Sequence, residues 1–241
     1  MSSQSGKIHN PQQHFAAKPP LKLNGVNPVA SGGHRLVFAH PEDPSLVLKV
    51  VRNEVRYENN QSLSIWRRYF QRYKHYNDFA REATEHIASY VATDTKPPFV
   101  QQFYGFIETD MGLAAVSRAE RDKEGEYALN LYQLLQQRKF DSEARRAFDD
   151  FASQLFANDI VVGDLRLENI VYSYDANRDE MHFVIIDGLG DKNGIPICSV
   201  SKTYNRLSKK KRIRRIRDQI ATFIPADGCQ DVIATTEEKI A

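Results

Sequence analysis

The sequence predicts an α+β fold: a five-stranded antiparallel sheet interrupted by one main helix, then a mostly helical half. Three observations carry this. Short apolar strands joined by tight turns open the chain. A stretch rich in charges and aromatics, with helical spacing, separates the third strand from the fourth. Beyond residue 119, apolar residues recur at intervals of three and four.

In chain order, residues 1–19 are polar, rich in Ser, Gln, Asn and Pro, and read as a disordered leader. Leu21–Ala30 reads as a strand, Ser31-Gly32-Gly33 as a turn, and Leu36–Ala39 as a second strand. His40–Pro44 carries two prolines and makes the next turn, and Ser45–Val51 is a third strand. Residues 53–93 predict one or two helices that end before Pro97-Pro98. Phe99–Glu108 and Leu113–Val116 complete the five strands, joined by the turn Thr109-Asp110-Met111-Gly112. Leu129–Gln137 and Ser142–Asn158 predict helices, the second with Phe148, Phe151, Leu155 and Phe156 on one face. Ile160–Val162, Ile170–Tyr172 and Phe183–Ile186 are short strand-like pieces. Residues 205–220 predict a helix with Ile213, Ile216 and Ile220 on one side. The division into two parts falls near Ser117–Gly125, giving units at 20–118 and 119–241.

With 41% hydrophobic and 27% charged residues, the chain can bury a core. The net charge of +2 says little, but its distribution says more. Eight cations and no acid lie between Arg206 and Arg217, so the remainder carries +2 − 8 = −6. Two cysteines, Cys198 and Cys229, give no disulfide framework and no C-x-x-C pair. No apolar run of signal-peptide or membrane-spanning type is present. The expected location is the cytoplasm, with contact at the inner-membrane surface left open.

Four features in one order suggest chemistry. A Gly-containing turn (Ser31, Gly32, Gly33) lies between the first two strands. Lys49 sits inside the third apolar strand. Asp164 is followed five residues on by Asn169. Asp187 ends an apolar strand and runs into Gly188 and Gly190. Phosphoryl transfer from ATP uses each of them. Backbone N–H groups exposed by glycine approach a triphosphate. A lysine on a rigid strand supplies a fixed cation. Mg²⁺ takes hard oxygen ligands, here from Asn169 and Asp187. A further carboxylate, Asp164, orients the acceptor hydroxyl and accepts its proton.

This order and spacing resembles the protein-kinase signature set. The resemblance implies a minimal bilobal protein-kinase-like fold and assigns Asp164 and Lys49 to catalysis. It assigns Ser31, Gly32, Gly33, Lys49 and Glu82 to ATP binding, and Asn169 with Asp187 to Mg²⁺. Glu82, in Ala80-Arg81-Glu82-Ala83, matches the helix glutamate that pairs with the strand lysine; Glu54, Glu58 and Glu85 are its rivals. More narrowly, the chain resembles the YrbL-type, PhoP-regulatory-network family of bacterial kinase-like proteins. That likeness rests on His34-Arg35, Ala39-His40-Pro41-Glu42-Asp43, Tyr104-Gly105 and Glu108-Thr109-Asp110-Met111-Gly112. It spans residues 21–215.

The sequence also departs from the kinase pattern. The first glycine of the loop is Ala30, the H-R-D triplet is Val162-Gly163-Asp164, and D-F-G is Asp187-Gly188-Leu189. No A-P-E motif follows Gly190. A trimmed C-terminal lobe implies a sugar, a lipopolysaccharide core or a small molecule as acceptor ahead of a peptide. The alternatives are a protein Ser/Thr kinase and a nucleotide-binding pseudokinase scaffold.

Each residue alone has a plainer reading. A strand lysine is usually an edge residue, Asp and Asn cap loops, and Asp before Gly makes a turn. His34 and Arg35 either reach phosphates or are ordinary loop polarity, and Glu168 reads as an outward charge. The basic run reads as a solvated helix, as a patch for an anionic substrate or lipid surface, or as a nucleic-acid site. The last is disfavoured because Tyr204 is the one aromatic nearby.

Overall fold

The computed structural model describes residues 19–52, 73–191 and 196–224. The leader (1–18) and the expected helical residues 53–72, including Glu54 and Glu58, lie outside the described residues.

Five strands form one antiparallel sheet: β1 (Ala30–Ser31), β2 (Arg35–Ala39), β3 (Leu46–Val51), β4 (Phe103–Thr109) and β5 (Gly112–Arg118). Their order across the sheet is β1-β2-β3-β5-β4. Strand alternation gives β3 two faces. Leu48 and Val50 face a cluster with Leu23, Phe38 and Ala114. Val51 joins Ala115 and Phe79 on the other side. Lys49 pairs with Val37 on one side and Ala115 on the other, so it shares the second face. Helix α1 (Asn77–Thr93) covers that face, with Phe79 buried against it.

The expected strand over Leu21–Ala30 shrinks to an isolated bridge at Leu21 and the two residues of β1. The reason lies in its turn. Gly25 has φ +84, and the N–H groups of Leu23 and Asn24 donate to the Asp110 carboxylate. Pro28 brings no N–H to a ladder. At the other end of the sheet, the expected strand from Phe99 begins only at Phe103. Phe99 and Gln101 instead exchange hydrogen bonds with Ile185: Gln101 N to Ile185 O at 2.9 Å and Ile185 N to Phe99 O at 2.9 Å. This connection ties the sheet to the second half of the chain.

The second half holds α2 (Leu131–Gln136), α3 (Ser142–Ala157), the hairpin β6 (Ile170–Asp175) with β7 (Glu180–Ile185), α4 (Ile197–Val200) and α5 (Lys202–Phe223). Asn130 and Gln133 form a capping box on α2, and the Asp141 carboxylate caps α3. Ile160–Val162 makes isolated bridges to Leu189 and Gly190 rather than a strand. One core gathers Phe148, Phe151 and Leu155 of α3, Phe183 of β7, and Ile213, Ile216 and Ile220 of α5. The Phe148 and Phe183 rings meet edge to face at 5.7 Å. No described helix is long and apolar enough to cross a membrane.

The basic run is helical as expected, but its cations do not all face water. Lys209 is only 2% exposed. Its Nζ donates to the carbonyls of Leu155 (3.1 Å) and Asn158 (2.5 Å), the unpaired acceptors at the end of α3. Burial brings its pKa down to about 8 from the usual 10.5. Lys209→Met should strand those carbonyls and cost about 1–3 kcal/mol, read from urea unfolding. The sign of the pH effect is fixed. The folded state binds this proton less tightly than the unfolded chain, so the native protein should gain stability relative to Lys209→Met as pH rises from about 8 toward 10.5.

Candidate functional site

Two loops of the second half meet below the sheet, and backbone contacts hold them together. Asp164 N donates to Gly188 O at 3.0 Å, and Gly190 N to Val161 O at 2.8 Å. Gly188 has φ +87, and a Cβ there would stand 2.6 Å from the Asp164 carbonyl oxygen. Both the backbone conformation and the close approach therefore require glycine. Gly190, at φ +78, plays the same part against α1, where a Cβ would come within 3.2 Å of the Arg81 carbonyl. Glu85 of α1 accepts from Val161 N at 2.6 Å. This rival to Glu82 thus anchors the Val161 loop to the helix.

Asn169 ends a 3₁₀ turn over Leu167–Asn169. Its Nδ2 donates to Asp164 O at 2.8 Å, and its own carbonyl accepts from Ile186 N at 2.9 Å. Asp164, Asn169 and Asp187 are therefore brought together. Lys49 reaches the same place from the sheet: its Nζ donates to Gln101 Oε1 at 2.7 Å and to the carbonyl of Ile186, the residue before Asp187. Burial pulls the Lys49 pKa down, against the attraction of Glu82 and Asp187. Lys49, Glu82, Gln101 and Asp187 line one small cavity with His86 and Phe103.

The partner of Glu82 differs from expectation. Its carboxylate is held by Arg35, Nη1 to Oε1 at 2.9 Å, while no direct ion pair joins it to Lys49 among the described residues. Arg35 Nη1 also lies 3.2 Å from Asp187 Oδ2, and Nη2 is 3.7 Å from Asp78. Its guanidinium sits over the Phe79 ring at 5.0 Å. Alternation explains the placement. Arg35 and Val37 share a face of β2, and Val37 is opposite Lys49, so Arg35 and Lys49 enter the same interior. Burial opposes the Arg35 charge, but Glu82, Asp187 and Asp78 outweigh it and raise its pKa. For Glu82, burial pushes the pKa up to about 7 against the pull of Arg35. Asp187 moves the other way, to about 2, because Arg35, a hydrogen bond from Glu82, and Lys49 outweigh its burial.

Sequence reasoning leaves Arg35 between phosphate contact and loop polarity. It misses Gln101, whose signal is a polar residue between apolar Val100 and Phe103, and Arg166, which pairs with Asp164 Oδ2 at 2.8 Å. The glycine turn sits at the start of β2. Gly32 N donates to Arg35 O at 2.9 Å, and Arg52 holds the turn through Gly32 O (2.8 Å) and the Ser31 hydroxyl. Gly33 has open space where a Cβ would stand.

As metal donors, Asn169 and Asp187 offer hard oxygens. Asn169 spends its Nδ2 on Asp164, leaving the Oδ1 acceptor, while Asp187 Oδ1 accepts from Gly188 N at 2.6 Å and Oδ2 faces Arg35. Two such groups fit Mg²⁺, which completes its shell with phosphate and water oxygens. Among the described residues no three His, Cys, Asp or Glu side chains cluster to hold a metal by themselves.

The molecule is thus an α+β protein in which a sheet lysine and arginine meet an acid–amide cluster on two loops. A family model described as "PhoP regulatory network protein YrbL" matches residues 21–221, and the chain belongs to that family. It is similar to the proteins named "Uncharacterized protein YrbL" of Escherichia coli (strain K12) and Shigella flexneri. Identity to each is 23% over 203 residues, covering 80% of this chain and 84% of each relative.

The buried ion pairs and the glycine contacts set two expected outcomes. Arg35→Met leaves Glu82 and Asp187 without their buried cation and should cost about 3–5 kcal/mol; adding Glu82→Gln should return part of it, giving a coupling energy in a double-mutant cycle of urea midpoints. Gly188→Ala should cost about 1–3 kcal/mol through its positive φ, with further loss from the collision at Asp164, read by the same unfolding assay.

Proposed function

We propose that the protein is an ATP- and Mg²⁺-dependent phosphotransferase acting on a hydroxyl acceptor. One observation carries the reading: Lys49, the Asp164–Asn169 loop and Asp187, three separate stretches of the sequence, meet around the Ile186–Gly188 backbone. Lys49 has three N–H donors and spends two on Gln101 and Ile186, which leaves the third for a phosphate oxygen. Gly33, with nothing packed against it, offers backbone to the triphosphate. Asn169 and Asp187 hold Mg²⁺, which neutralises phosphate charge when bound. Asp164 orients the acceptor hydroxyl and takes its proton, and Arg166, paired with its Oδ2, keeps a positive charge beside it.

The acceptor class is drawn from the departures from the kinase pattern: Gly163 stands where H-R-D has its arginine, and D-F-G reads Asp187-Gly188-Leu189. A sugar, a lipopolysaccharide core or a small molecule is proposed ahead of a peptide. The kinase-like fold, the ATP and Mg²⁺ sites and a cytoplasmic location belong to this same reading. One observation favours a second reading, a regulatory protein that binds nucleotide without transfer: Arg35 and Arg166 each engage a carboxylate that chemistry needs.

Thermal unfolding with ATP, with and without Mg²⁺, tests both. ATP at a hundred times its Kd should stabilise by about 2.7 kcal/mol, a rise of roughly 5–10 °C for a chain of this size. The rise should need Mg²⁺ and shrink in Asp187→Ala. Asp164→Asn should keep it while abolishing transfer of label from ATP to extract components. Absence of any nucleotide effect overturns the proposal; a large shift without transfer in the unmodified protein selects the second reading.

A further inference from the structure

We propose that the outer face of α4 and α5 is a docking surface for an anionic lipid bilayer. The face is defined by what α5 buries. Asn205, Lys209, Ile213, Ile216 and Ile220 form its inner stripe. At 3.6 residues per turn, the opposite side carries Tyr204, Leu207, Lys211, Arg214 and Arg215, flanked by Arg206 and Lys210. All seven are exposed.

The structure sorts the eight cations of the run by what they do. Lys209 is spent inside, on the end of α3. Arg217 is spent on Asp149 at 2.9 Å, and Arg212 Nε donates to Ser208 Oγ at 3.3 Å. Arg206, Lys210, Lys211, Arg214 and Arg215 have no acidic partner among the described residues. Such a row costs the fold self-repulsion and is relieved by an anionic partner.

Charge complementarity alone does not choose among anions, but the apolar side chains beside the cations do. Val200, at the end of α4, is 82% exposed; on α5, Leu207 is 60% exposed and Tyr204, one turn before it, 50%. They stand on a fixed support. Asp191 accepts from Cys198 N and Ser199 N, which holds α4, and Ser201 caps α5 by accepting from Tyr204 N at 3.3 Å. Exposed aliphatic groups beside arginines and lysines suit the boundary between headgroups and acyl chains, where a helix lies flat with its cations among phosphates. A single-stranded nucleic acid would instead call for several rings on which bases stack, and here Tyr204 is alone. Each cation near an anionic surface is worth about fivefold in partitioning. The inference is independent of any phosphotransfer.

Co-sedimentation of the full chain with vesicles tests it. One set is phosphatidylcholine alone and the other is phosphatidylcholine mixed with phosphatidylglycerol. The protein should bind the mixed vesicles and not the neutral ones, with affinity falling as salt rises. Lys211→Glu/Arg214→Glu/Arg215→Glu should weaken binding by about a hundredfold or more. Val200→Ser/Leu207→Ser should weaken it severalfold; because all five positions face solvent, both variants should stay folded, the serine variant with an unchanged thermal midpoint and the glutamate variant with one no lower than the native protein's. Three results would overturn the inference: no binding to the mixed vesicles at low salt, unchanged binding by the serine variant, or displacement from vesicles by single-stranded RNA at a lower nucleotide than lipid concentration.

Discussion

Two cations buried on the inner face of a sheet govern this structure. Lys49 and Arg35 enter the space between the sheet and α1, where neither has bulk water. A charge placed there must be paired or hydrogen-bonded. Every neighbouring feature answers that demand. Glu82 comes down from α1 to Arg35, Asp187 rises from the loop after β7, and Gln101 and the Ile186 carbonyl take the Lys49 ammonium. These polar contacts join the sheet, the helix and the loops of the second half alongside apolar packing, which sets Phe79 on Val51 and Ala115 and brings Phe99 and Val100 into the core of the second half.

That arrangement sets the protonation pattern of the two carboxyls. Glu82 and Asp187 are close enough to interact, so their affinities for a proton separate, one upward and one downward. The low pKa of Asp187 keeps an ionised oxygen at the junction of the loops. At the same junction Gly188 and Gly190 let the Asp164 and Arg81 backbones come where a Cβ would collide. Closely packed backbone, an ionised carboxylate and a buried ammonium at one point are what the proposed chemistry calls for.

Much of the fold is legible in the sequence. The five strands and their antiparallel sense come from short apolar runs and tight turns, and α3 and α5 from apolar spacing. The losses have physical causes. Leu21–Ala30 has strand-like composition, but Gly25, Pro28 and the pull of Asp110 on two N–H groups break it. Val162 has the composition of a strand yet finds only isolated partners, because Gly190 crosses it in a loop. At the candidate site, Lys49, Asp164, Asn169 and Asp187 are marked by residue type and spacing. Their convergence is not, since it depends on contacts between residues more than a hundred positions apart, such as Lys49 with Ile186.

The sequence by itself determined most of the elements, the concentration of positive charge late in the chain, and the order and spacing of Lys49, Asp164, Asn169 and Asp187. Periodicity and composition are local properties and are written in neighbouring residues. Only the tertiary structure decided which charges pair. It gave Glu82 to Arg35 instead of Lys49, fixed Glu85 as an anchor for Val161, and took Lys209 out of the basic face to close the end of α3. A buried charge is satisfied by whatever polar group the fold brings within hydrogen-bond reach, and sequence spacing does not encode that distance.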